Sequence, residues 1–210
     1  MKKGLAILFA AAAITACNNT DKKTASATGD STTTVAKDTP KTADVVVAQK
    51  PAIINIVDTA GVKRIIIYMK DSATTFDRIA LKLGTIYGVK LADVLKKNGI
   101  KPTGQPMAWY KSQQAPYFFE AGVAVAKKPT KLPANVFVKE ITADSVMIAH
   151  FYGPYDLLSQ GYDAIKERMK DEKKMANGMP YEIYVGDPFD ATGKPIDPYK
   201  VRTDIVFPRK

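Results

Sequence analysis

The stretch AHFYGPYDLLSQGYDAIKERM, Ala149 to Met169, decides how the rest of the chain is read. A β-rich run, SVMIAHFY, stops at Gly153-Pro154, a pair that ends a strand in a tight turn. Beyond the turn, Tyr155, Leu158, Tyr162, Ile165 and Met169 step by three or four, the spacing of one helix face. The chain's only histidine, His150, stands just before the turn.

The same strand-to-helix unit occurs once more, upstream. Each half begins with two β-rich runs joined by a short polar turn. These are AIINIVD and VKRIIIYMK across TAG, then NVFVKEI and SVMIAHFY across TAD, and such turns read as hairpins. A helix follows in each half. In the first, Phe76, Ile79, Leu83, Ile86, Leu91, Val94 and Leu95 keep broadly helical spacing. Both helices are expected to end at Asn-Gly, Asn98-Gly99 and Asn177-Gly178, where a left-handed cap forms easily. A Pro-x-x-x-Tyr strand comes next, Pro106 to Tyr110 and Pro180 to Tyr184, and then a last strand, YFFEAGVAV or KVRTDIVFP. The order strand, strand, helix, strand, strand, twice over, implies an α+β fold. Two helices would cover one face of an antiparallel sheet, with repeat halves at about 51–130 and 131–210 and a central ligand cleft.

The first fifty residues differ in kind. MKKGLAILFAAAAITAC has two lysines, an apolar run from Leu5 to Ile14 and small residues before Cys17, the layout of a secretory signal. Cys17 is the only cysteine of the 210 residues, and it stands where the signal would be cut. The segment resembles a bacterial lipoprotein signal with Ile14-Thr15-Ala16-Cys17 as lipobox. That resemblance implies removal of residues 1–16, two acyl chains such as palmitate on the Cys17 sulfur and a third on its amine. Several chains hold a protein at a membrane where one does not. Residues 18–50 are rich in Thr, Ala, Lys, Asp and Ser, lack aromatics and read as a flexible tether. Asn18 after the acylated cysteine is not the aspartate of inner-membrane retention. The expected location is the outer membrane of a Gram-negative envelope, facing the periplasm.

One cysteine and one histidine exclude an intramolecular disulfide and a cysteine–histidine metal site. The net charge of +10 falls to +8 without Lys2 and Lys3, and the tether's five lysines and four aspartates leave +7 on the rest. A basic surface suits an anionic membrane, or is simply a solvated face.

Residues 50–210 resemble the GyrI-like small-molecule-binding domain, the effector-binding domain of AraC-type and multidrug-sensing regulators. The residues that carry the likeness are HFYGPYDLLSQGYDAI, NGMPYEIYVGDP and YKVRTDIVFP, with KNGIKPTGQPMAWY and FFEAGVAV in the first half. The resemblance implies a pseudo-symmetric sheet with two helices behind it and a ligand cleft in front. A related branch holds the SOUL haem-binding proteins. Where such domains commonly carry a helix-turn-helix module, this chain has a lipid signal and a tether. DNA contact is therefore not expected.

Glu120 is the first candidate for chemistry. Alternation in APYFFEAGVAV places Phe118, Glu120 and Gly122 on one face and Phe119, Ala121 and Val123 on the other, the second set beneath the helices. A cleft carboxylate among aromatics can pair with a cation, or act as a base if burial raises its pKa. The resemblance also puts the matching glutamate in the cleft, and the competing reading is a solvated strand residue. Trp109 and Tyr110 are adjacent on a strand, so one lines the cleft and the other the core. Tyr110 and Tyr184 hold matching repeat positions. Tyr155 and Tyr162 fit the helical stripe, with buried rings and hydroxyls reaching a partner or the cleft. His150 is read as a hydrogen-bonded packing residue.

The leading expectation is a membrane-anchored binding protein that takes an amphipathic or cationic small molecule between Glu120, Trp109, Tyr110, Phe118, Tyr155 and Tyr184. It is expected to be a monomer without cofactor, nucleic-acid partner or metal. The resemblance offers two alternatives. One is a hydrolase of electrophilic, cyclopropane-bearing compounds, with Glu120 activating water and Tyr110 or Trp109 positioning substrate. The other is a haem or tetrapyrrole carrier through His150.

Overall fold

The computed structural model describes residues 50–112, 114–142 and 145–210. The signal segment, Cys17 and the tether up to residue 49 lie outside the described residues. The strands are β1 Ile53–Ala60, β2 Arg64–Ala73, β3 Met107–Tyr110, β4 Tyr117–Val125, β5 Phe137–Ile141, β6 Ser145–Tyr152, β7 Tyr181–Tyr184 and β8 Arg202–Arg209. They form one antiparallel sheet in the order β1-β6-β8-β7-β3-β4-β2-β5. The helices are α1 Phe76–Thr85, α2 Ala92–Lys97 and α3 Leu158–Asp171. This is the expected α+β sheet with its helical layer.

Thr75 caps α1 by accepting from the Arg78 amide, and Asp77 sits in the first turn where the helix dipole favours it. Ile86–Leu91 forms a wider π turn that leads into α2. Its wider turn suits the five-residue step from Ile86 to Leu91, both of which point inward. Gly99, at φ +62°, ends this helix as expected. The second helix ends earlier than its Asn-Gly pair predicts. Lys173 takes the left-handed conformation at φ +53°, and the Lys174 amide closes back on the Met169 carbonyl at 2.8 Å. Asn177 instead donates to the Pro208 carbonyl beside β8.

The expected hairpins do not form. β1 pairs with β6 and β5 pairs with β2, so each half lends its first strand to the other half's sheet. Consecutive β5 and β6 stand six positions apart in the strand order, as do β1 and β2. On a flat sheet that separation is about 29 Å at roughly 4.8 Å per strand. The links 61–63 and 142–144 have three residues each. Their extended reach is about 14 Å, so the sheet must curl until its ends approach.

The curl separates two cores. On the inner face Ile66, Met107, Trp109, Val146, Tyr181 and Val206 meet, although they come from five strands. On the helical face two clusters form. One holds Ile67, Phe119, Ala121, Ile79, Ile86 and Leu91, and the other holds Ala149, Phe151, Ile205, Tyr162 and Ile165. The alternation expected for β4 holds: Phe119, Ala121 and Val123 lie under the first helical segment.

Candidate functional site

β3 and β7, the two Pro-x-x-x-Tyr strands, pair at the centre of the sheet with Met107 opposite Ile183 and Ala108 opposite Glu182. Equivalent strands of the two repeats thus meet across the pseudo-symmetry axis. Residues opposite each other share a face. Ala108 opposes Ala121, and Glu182 opposes Ile205, so Ala108, Tyr110, Glu182 and Tyr184 all look toward the helical layer. The hydroxyls of Tyr110 and Tyr184 lie 2.8 Å apart.

Glu182 is the centre of this group and is 3% exposed. Tyr162 from α3 donates to its Oε1 at 2.9 Å, and Tyr184 donates to its Oε2 at 2.9 Å. A phenol has one proton to give. With the Tyr184 proton on Glu182, Tyr110 is the donor to Tyr184, and the three groups form a chain. Tyr87, on the π turn, donates to the Met107 carbonyl at 2.7 Å and meets the Tyr184 ring edge-on at 6.3 Å. Tyr155 meets the same ring edge-on at 6.5 Å and accepts from Thr203. At 44% exposed, Tyr155 is where the cluster reaches solvent.

Burial pushes the Glu182 carboxyl up to about 7, against the pull of its two phenol donors. Burial, with the nearby Glu182 charge, also raises the phenols of Tyr87, Tyr110, Tyr155, Tyr162 and Tyr184. They stay protonated donors at neutral pH. Both of the Glu182 hydrogen bonds come from phenols, and among the described residues no ammonium or guanidinium pairs with it. The arrangement is one buried carboxyl, about half protonated at neutral pH, held by two phenol hydroxyls with further tyrosines beside them.

The residues expected to share one cleft are divided by the sheet. Tyr110, Tyr155 and Tyr184 belong to the helical side. Trp109, Phe118 and Glu120 lie on the other, with Trp109 opposite Glu120 in the register. Strand alternation makes this unavoidable, because Trp109 and Tyr110 are neighbours. Trp109 is buried and Phe118 is exposed. Glu120 is paired with Lys139 at 3.0 Å and Lys111 at 3.6 Å. The Lys139 ammonium lies over the Trp109 ring at 3.2 Å and over Tyr68 at 4.7 Å. The cation expected between aromatics and Glu120 is therefore a side chain of the protein itself.

His150 donates to or accepts from Asp204 through Nδ1 at 2.6 Å, on the same face as Glu120. Tyr162 is buried as expected, whereas Tyr155 stands in a 3₁₀ turn ahead of α3 and is half-exposed. Among the described residues there is no cluster of three or more metal-ligating side chains. Glu182 was missed by the sequence reading. Its signal was the repeat itself: Pro106-x-Ala108-x-Tyr110 aligns with Pro180-x-Glu182-x-Tyr184. A carboxylate thus replaces alanine on the face shared with the tyrosine.

No protein-family model matches the sequence, and no curated protein matches it. Solved structures do. The EcmrR C-terminal domain is 20% identical with a TM-score of 0.60, over 76% of this chain and 98% of that one. The EcmrR–DNA complex aligns with the same score and identity, and this chain spans only 57% of that protein's length. A hydrolase from Listeria innocua is 10% identical with a TM-score of 0.51, over 74% of this chain and 91% of that one. The eight-stranded sheet with its helical layer is thus the fold shared with these structures.

Proposed function

We propose that this chain is a membrane-anchored small-molecule-binding protein. Its site is Glu182 with Tyr87, Tyr110, Tyr155, Tyr162 and Tyr184, and its ligand joins a positive charge to an apolar body. The observation that supports this reading is a buried carboxyl held by phenols and lacking a cationic partner among the described residues. A ligand cation entering there lowers the carboxyl's pKa and supplies the missing counter-charge. Aromatic faces add attraction of about 1 kcal/mol each or more when desolvated. Half-exposed Tyr155 marks the entrance. The anchor is the acylated Cys17, and the domain faces the periplasm from the outer membrane.

Calorimetry tests the site. The full chain is titrated with benzyltrimethylammonium and with its neutral carbon isostere. Glu182→Gln is expected to weaken the cation tenfold or more and to leave the isostere unchanged. Equal loss of both ligands removes Glu182 from charge recognition, and loss on Glu120→Gln instead moves the site to the other face.

One observation favours a second reading, hydrolysis of an electrophilic small molecule. A carboxyl poised at about 7 is suited to general-base work near neutral pH. The sequence reading placed that base at Glu120, whereas the geometry favours Glu182. Incubation with cyclopropane-bearing electrophiles decides it: without Glu182-dependent product, this reading falls.

A further inference from the structure

On the sheet face away from the helices, Lys139 presents the elements of an amine nucleophile. Its side chain is 24% exposed and borders a cavity of about 260 Å³, also lined by Trp109, Glu120 and Tyr181. Glu120 accepts a hydrogen bond from the amine at 3.0 Å, which places a proton acceptor beside the reacting nitrogen. The Trp109 ring at 3.2 Å and the Tyr68 ring at 4.7 Å cover part of the amine. The other charged and titratable groups around it are Lys70, whose ammonium lies over Phe137, Lys111, which shares Glu120, and Glu140 on the cavity wall.

We propose that Lys139 captures aldehydes covalently as an imine, with Glu120 as its proton partner. Once the Lys139 ammonium has released one proton to solvent, its nitrogen lone pair attacks the carbonyl carbon and the C=O electron pair moves to oxygen. Glu120 takes the proton lost by nitrogen and returns it to that oxygen, giving a carbinolamine. Loss of water then leaves the C=N bond, with no oxidant or reductant required. Burial lowers the ammonium's pKa, and the nearby positive charges of Lys70 and Lys111 add to this against the opposing pull of Glu120. Both effects are routes to an activated lysine. The site is independent of Glu182, which lies across the sheet.

The test treats the full chain with limiting benzaldehyde, traps imines with cyanoborohydride and quantifies each lysine by peptide mass spectrometry. At pH 7 Lys139 is expected to carry at least ten times the adduct of exposed Lys170. The ratio narrows as pH rises, because burial no longer sets Lys139 apart once free amine is plentiful on the surface as well. Glu120→Gln slows Lys139 and leaves Lys170 unchanged, and Lys139→Arg abolishes the leading adduct. Labelling of Lys139 no faster than Lys170 in the wild-type chain, with Trp109 fluorescence showing the native fold, overturns the proposal whatever the variants do.

Discussion

At the scale of the residue, Glu182 couples the candidate site to stability. The folded carboxyl holds its proton up to about 7, whereas an ordinary glutamate releases it near 4.5. Between those values the folded state binds more protons than the unfolded state. The contribution is therefore fully present below about 4.5 and is lost as pH rises through 7. Integrated over that window it is about 3 kcal/mol, from roughly 1.4 kcal/mol per pKa unit. Urea unfolding of wild type and Glu182→Gln at pH 5 and pH 8 measures it. Wild type is expected to lose stability relative to the variant at the higher pH, and parallel profiles would contradict the burial argument. Tyr110 and Tyr184 were legible as equivalent positions. That their hydroxyls touch, and that Glu182 completes the chain, required the β3–β7 register.

At the scale of the element, two glycines record close approaches of different kinds. A Cβ on Gly122 of β4 would stand 2.5 Å from the Ile67 carbonyl oxygen and 2.7 Å from the Tyr68 Cβ, neither of which can yield easily. A Cβ on Gly161 of α3 would meet the Ile205 Cδ1 at 2.5 Å, the free end of a side chain. Gly122→Ala is expected to destabilise by about 1–3 kcal/mol, as overpacking does. For Gly161→Ala, helix propensity returns up to about 1 kcal/mol, so the net change is near zero. Thermal unfolding of both variants checks the order, and a larger loss at Gly161 would refute it. The elements themselves were legible because apolar periodicity is local. The π turn was not read from the sequence, where the five-residue gap between Ile86 and Leu91 passed as broadly helical spacing. Nor was the early end of α3, because Lys173 adopts a conformation that its residue type does not advertise.

At the scale of the whole molecule, the proposed anchor makes one prediction that involves no folded contact. Cys17→Ser is expected to move the protein from the membrane fraction to the soluble envelope fraction and to abolish palmitate incorporation. Unchanged fractionation would sink lipid anchoring at Cys17. The strand exchange between halves also acts at this scale. β1 lies on β6, and its Asp58 is bound by Lys174 and Arg209, which ties strand, helix end and β8 together.

The sequence by itself determined the repeat, the strand and helix order, the α+β class and the alternation that assigns each β4 residue to a face. All of these follow from nearest-neighbour periodicity and turn chemistry. Only the tertiary structure decided which strands pair, because pairing joins residues far apart in the chain and the expected hairpins were open to exchange. That choice curls the sheet and brings Lys139 against Trp109 and Glu120. It also sets Glu182 among tyrosines from both repeats, so the place of the candidate site follows from the register between halves.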